Sequence, residues 1–148
     1  MKFGKIKQPI YSRSDKRGVF FELISFGKWE TLIIGKMKKG AQMGHHYHQK
    51  TIVFYYLLSG RVKIITLNLK NNKKCINFLN SHQGYIFRPE EVRIIKYEKN
   101  SRFIMLKSKK YNEKQPDLIK FEKETGLLQY VCIEDLFCFE QGFLPIGR

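Results

Sequence analysis

Three of the chain's four histidines fall in one run, Gly44-His45-His46-Tyr47-His48. An imidazole titrates near neutral pH and binds metals readily, so such a cluster suits either proton transfer or metal ligation. Backbone conformation decides which rings cooperate. In an extended segment alternate side chains share a face, which puts His46 and His48 on one side and His45 and Tyr47 on the other. Zinc and iron sites ask for three or more protein ligands, and two imidazoles alone fall short.

The elements that must position these residues read as short strands. Val19 to Ile24, Thr31 to Met37, Ile52 to Leu58, Val62 to Leu67, Cys75 to Leu79, Tyr85 to Phe87, Val92 to Tyr97 and Phe103 to Leu106 are dense in Ile, Val, Phe and Tyr. Turn signals separate them, among them Asp15 to Gly18, Lys39-Gly40, Ser59-Gly60, Lys70 to Lys74 and Pro89 to Glu91. That spacing predicts an all-β sandwich, barrel or jelly roll. Beyond Tyr111 the pattern changes: a charged stretch runs from Pro116 to Gly126, and Ile133 to Phe139 reads as a short helix.

Together these pieces resemble the cupin family, small β-barrels of jelly-roll (double-stranded β-helix) type. Gly40, His46, Tyr47, His48 and a strand ending at Gly60 are similar to the first cupin motif, and Gly84 with Pro89 to the start of the second. More narrowly, the chain resembles the sugar-nucleotide 3,4-ketoisomerases and the dTDP-4-dehydrorhamnose 3,5-epimerases. Asp15-Lys16-Arg17-Gly18-Val19-Phe20-Phe21-Glu22 looks like their DxRGxFxE segment. Gly44 to Lys50 with Leu58-Ser59-Gly60 looks like the ketoisomerase GxHAHKx and VSG runs. Ser108 to Glu113 and then Asp117-Leu118-Ile119 look like S-x-x-Y-x-E followed by D-x-I. The resemblance spans roughly Ser14 to Asp117. It implies one cupin domain over residues 1–148, with a barrel core at about 14–117 and a short C-terminal extension at about 118–148.

Three positions depart from the family pattern. Metal-binding cupins carry a glutamate where this chain has Val53 and a histidine where counting along the second motif gives Ile94; the other candidate ligands, Gln49, His82, Glu90 and Glu91, lie off the motif. No metal and no cofactor is therefore expected, as the ketoisomerases and epimerases need none. Met43 stands where those enzymes carry an arginine.

The resemblance implies proton abstraction beside a ketone through an enediolate, on a nucleotide-linked 4-keto-6-deoxy sugar of cell-surface polysaccharide synthesis. This needs a base and an acid within about 3 Å of the reacting atoms. His46 is the expected base, His48 its partner on the same face, and Tyr55 the expected acid, since strand parity turns Val53, Tyr55 and Leu57 inward. A core aromatic is the competing reading of Tyr55. The diphosphate calls for arginine forks: Arg17 by its motif, with Arg61, Arg88 and Arg93 as further candidates. Glu22 is expected at the nucleotide base, across a homodimer interface or within one chain, with His45 and Tyr47 lining the substrate side. A cupin that binds a sugar nucleotide without turnover, for which Met43 speaks, and a metal-dependent cupin oxygenase are the alternatives.

Charge sets the remaining bounds. Lys and Arg number 28 against 13 Asp and Glu, a net charge of +15, which raises nucleic acid and anionic surfaces as partners. The lysines are dispersed rather than gathered in an arm or helix, so no specific nucleic-acid partner is expected. No apolar run approaches the ~18 residues of a membrane span, and the basic start lacks an apolar signal region; the expectation is a cytoplasmic protein with no membrane partner. Cys75, Cys132 and Cys138 lack metal-site spacing and read as reduced thiols.

Overall fold

Side chains branched or bulky at Cβ fit a pleated ladder better than a helix, and the segments rich in them form strands throughout residues 3–120, which the computed structural model describes. In chain order these are β1 (Ile6–Lys7), β2 (Tyr11–Asp15), β3 (Gly18–Glu22), β4 (Thr31–Met37), β5 (Gln42–His48), β6 (Val53–Ser59), β7 (Arg61–Asn68), β8 (Lys73–Asn80), β9 (Gln83–Phe87), β10 (Glu91–Tyr97), β11 (Ser101–Lys107) and β12 (Leu118–Lys120). All eight expected strands are present, and β1, β2, β5 and β12 join them. No helix among the described residues is long and apolar enough to cross a membrane.

Two five-stranded antiparallel sheets face each other, one ordered β1-β9-β6-β11-β4 and the other β12-β5-β10-β7-β8, while β2 and β3 pair only with each other. Between the sheets lies the main core, where Val53, Tyr55 and Leu57 of β6 meet Val62 and Ile64 of β7, Ile95 and Tyr97 of β10 and Phe103 and Met105 of β11. The parity expected for β6 is observed. Its alternate residues Phe54 and Tyr56 are buried on the opposite face against Phe3, Leu23, Phe26 and Trp29. Burial on both faces explains why β6 is apolar throughout instead of alternating. The outer face of the second sheet carries a separate cluster of Ile65, Leu67, Val92 and Ile94, against which Tyr47 packs. Cys75 is a free thiol; Cys132, Cys138 and the Ile133 to Phe139 segment lie outside the described residues.

Candidate active site

The histidine run forms β5, and one extra residue sets its geometry. Ile94 of β10 faces Gly44 but Arg93 faces His46, so β5 bulges at His45. Gly44 and His45 both take left-handed conformations there, at φ 118° and 59°. A bulge of this kind re-aims the side chains after it, which lets both Met43 and His46 face the interior.

His46 is 5 % exposed, and both ring nitrogens are engaged. Nδ1 lies 2.8 Å from the Gly44 carbonyl oxygen. Nε2 lies 3.1 Å from Nη2 of Arg93. A carbonyl can only accept and a guanidinium can only donate, so the ring is neutral with its proton on Nδ1. Burial first, and then the Arg93 charge, hold it far below the usual histidine range, at about 2. Arg93 is itself 3 % exposed and lies over the Phe87 ring, 4.8 Å from its centroid.

His48 sits beside it with its ring edge-on, 5.7 Å between centroids. Its Nδ1 is 3.3 Å from Oδ2 of Asp117, and neither ring nitrogen makes a hydrogen bond. Asp117 is fixed by the turn after β5: its carboxylate accepts from the Lys50 amide at 2.7 Å, the Thr51 amide at 3.0 Å and the Thr51 hydroxyl. β12 then pairs with β5, Leu118 opposite His48. Burial and the charges of Arg93 and Lys107 push His48 down to about 2. Lys107 comes from β11 in the facing sheet and acts on both imidazoles.

Glu91 adds a carboxylate on the same side of β10 as Arg93. It is 3 % exposed, with Oε2 3.0 Å from Nε of Arg88 and Oε1 without a hydrogen-bond partner. Burial drives it up to about 7 against the opposing pull of Arg88 and Arg93. The cluster is therefore two neutral imidazoles, a buried guanidinium, a lysine and two carboxylates in unlike environments.

The other expected site residues are distributed around the fold. Tyr55 is fully buried, donates to the Tyr97 hydroxyl at 3.1 Å and stacks on Phe103. Tyr97 in turn donates to Sδ of Met43 at 3.5 Å. Arg93 and Tyr97 share one face of β10 four residues apart, roughly 13 Å, so Tyr55 belongs to the core away from the imidazoles. The hydroxyl expected to serve as the acid is engaged by Tyr97 in this structure. His45 and Tyr47, expected to line the substrate side, occupy the face of β5 opposite His46 and His48. Tyr47 packs in the outer apolar cluster, and His45 is buried and lowered to about 4 by burial and the Lys96 charge. Arg61 binds Glu98 and Asn80 at the β6–β7 turn and covers Phe78, so within the chain it is a surface residue apart from the histidines. Arg17 lies in the β2–β3 turn, 77 % exposed and paired with Asp15 at 2.7 Å. Glu22 ends the same hairpin, exposed. Of the named arginines, Arg93 sits within the cluster and Arg88 joins its border through Glu91.

Arg93 was one arginine among several in the sequence, and a turn explains why counting misplaces it. Glu90 adopts a left-handed conformation, φ 59°, and closes the turn so that Ile94 joins the outer cluster while Arg93 points in. Metal fits this set poorly. Val53 is fully buried apolar core, Nε2 of His46 faces a cation, and no group of three His, Cys, Asp or Glu suited to a metal occurs among the described residues. A shallow groove of about 580 Å³ lined by Lys36, Met37, Lys38, Ser59, Asn100, Ser101 and Arg102 shares no residue with the cluster.

No protein-family model matches the sequence, and no curated protein matches it. Solved structures do. The chain is similar to the dTDP-6-deoxy-D-glucose-3,5-epimerase RmlC of Legionella pneumophila Philadelphia 1, in complex with dTDP-4-keto-L-rhamnose, at TM-score 0.68 and 14 % identity over 83 % of this chain and 74 % of that one. It is similar to QdtA, a sugar 3,4-ketoisomerase of Thermoanaerobacterium thermosaccharolyticum in complex with TDP, at TM-score 0.66 and 18 % identity over 85 % and 93 %. A part of the capsular polysaccharide assembling protein CapF of Staphylococcus aureus also matches, at TM-score 0.59 and 19 % identity over 77 % of this chain and 34 % of that one. The fold is the all-β jelly roll expected from the sequence, shared with these structures.

Proposed function

We propose that the chain is a metal-independent isomerase or epimerase of a nucleotide-linked 4-keto-6-deoxy sugar, a cytoplasmic homodimer of one cupin domain serving cell-surface polysaccharide synthesis. The observation that carries this reading is the His48–Asp117 dyad beside an arginine-capped His46. With Nε2 of His46 held by Arg93, His48 is the imidazole suited to take a proton from carbon. Its low basicity makes Asp117 necessary. As the ring gains a proton, the carboxylate 3.3 Å away can close to hydrogen-bond distance and steady the imidazolium, a tightening common on substrate binding. The same ring can return the proton to the neighbouring carbon while the hydroxyl proton passes between the two adjacent enediolate oxygens, so no tyrosine acid is required for a carbonyl shift. Solved relatives of this fold bind TDP and dTDP-4-keto-L-rhamnose, which supports the substrate class.

The dimer supplies what one chain leaves apart. A lone two-stranded hairpin is marginal in water, yet β2–β3 pairs with no other strand and exposes Tyr11, Val19 and Phe20. Packed on a second copy, it would bring Arg17 and Glu22 to that copy's site.

Incubation with dTDP-4-keto-6-deoxyglucose in deuterated water tests the reading. Deuterium beside the ketone, or a shifted carbonyl, is expected, and Asp117→Asn should slow exchange about 10²-fold or more. Binding without any exchange would favour a non-catalytic cupin, the reading that Met43 supports by filling a core site where the family has arginine.

A further inference from the structure

Buried arginines are rare unless something requires their charge, and Arg93 sits at 3 % exposure between His46 and Phe87. Its position on β10 is directly opposite His46 and, on its other side, Thr66 of β7, so the guanidinium projects from the centre of its sheet toward the facing sheet. Glu91, equally buried and two residues earlier on the same face, supplies the matching carboxylate. Its Oε2 is held by Arg88, and Oε1 accepts no hydrogen bond. A neutral imidazole nitrogen is a modest acceptor for a guanidinium, whereas an oxyanion is a much better one.

We propose that Arg93 is the electrophile of this site, transferring its Nη2 hydrogen bond from His46 to the substrate's ketone oxygen as charge develops there, and that Glu91 is a positioning residue that retains the guanidinium inside. This rests on the reading above. In the step, His48 takes the proton from the carbon beside the ketone. The C–H electron pair becomes the new C=C bond, and the carbonyl π pair moves to oxygen, where Arg93 donates to it. The proton then returns from His48 to carbon as an oxygen electron pair re-forms a C=O bond, the hydroxyl proton passing between the two adjacent oxygens where the carbonyl shifts, and no oxidant or reductant is consumed. A preformed cation among buried side chains does here what a Lewis acid does elsewhere, with little reorganisation. His46, released from Arg93, keeps its ring aligned through Gly44.

Two measurements decide it. Nitrogen-15 spectra of the histidines, taken without substrate, should show His46 protonated on Nδ1 and bare on Nε2. In Arg93→Met its titration should move up from about 2 toward the ordinary range. A wild-type His46 proton on Nε2 overturns the proposal whatever the activity. In the deuterium exchange assay, Arg93→Met should lower kcat by about 10²–10³-fold with KM little changed, Arg93→Lys should recover part of it, and Glu91→Gln should fall between. The double variant Glu91→Gln/Arg93→Met removes both charges and guards against loss of fold from a carboxylate left unpaired. Unchanged exchange in folded Arg93 variants overturns the electrophile alone. Absence of exchange in the wild type overturns the reading of function and this role with it.

Discussion

Each buried imidazole of β5 ties stability to pH in a definite direction. His46 and His48 are held at about 2 and His45 at about 4, against an ordinary value near 6.5, because burial penalises their charged forms. The unfolded chain therefore binds more protons than the folded one below pH 6.5. The contribution of these rings is complete above that pH and is lost as pH falls through their folded values. Glu91 works the other way: raised to about 7, it contributes below its ordinary value of 4.5 and loses that contribution as pH rises through 7. Three rings outweigh one carboxyl. Urea unfolding should show stability falling from pH 6.5 to 4.5, at up to ~1.4 kcal/mol per pH unit for each net proton. His48→Gln should flatten the slope by about one proton, and an unchanged slope would refute the assignment. At this scale the sequence was partly legible. His46 and His48 stood out by type and spacing, and Asp117 belonged to a recognised D-x-I run. Arg93 did not stand out, because its inward aim depends on Glu90 adopting a conformation usually left to glycine.

Strand β5 shows how an element makes a site out of residues that do not look like a strand. Gly, Gln and His are poor β-formers, so composition alone leaves Gln42–His48 a loop, and pairing with β10 and β12 supplies what propensity does not. The neighbouring strands were readable because β6, β7 and β10 carry long runs of Val, Ile, Leu and Tyr. β12 was not, being three residues held by its ladder to β5. The bulge makes Gly44 the critical position of the element. Its φ is 118°, and a Cβ there would meet the Arg93 carbonyl oxygen at 2.3 Å, backbone that cannot step aside. Gly44→Ala should therefore cost about 2–4 kcal/mol by urea unfolding, and it should disturb the carbonyl that orients His46. A variant of wild-type stability would mean that β5 does not need its bulge. Gly40, also at positive φ but with open space around its Cβ position, should tolerate alanine at a lower cost, set by conformational strain alone.

The whole molecule poses two questions that its strands do not, how many copies assemble and what the charge is for. If the β2–β3 hairpin docks on a second copy, light scattering should give a dimer and Phe20→Glu, at a site 54 % exposed in one chain, should yield monomer with impaired exchange. A monomeric wild type would sink the shared site. The charge of +15 first suggests a polyanion, but the fold spreads it out. Arg17 is in the free hairpin, Arg93 is buried in the histidine cluster, and Lys36 and Arg102 face each other across β4 and β11. Like charges directly opposite one another destabilise a ladder, and a net charge this large repels itself, so salt should relieve both. Raising ionic strength from about 0.01 to 0.15 M shortens the screening length from about 30 to 8 Å and should raise the thermal midpoint. Over the same range any affinity for duplex DNA should collapse by orders of magnitude, as expected of phosphate contacts without base readout. Tight duplex binding that survives physiological salt, or a midpoint that falls with salt, would show instead that the cations are organised for a polyanionic partner.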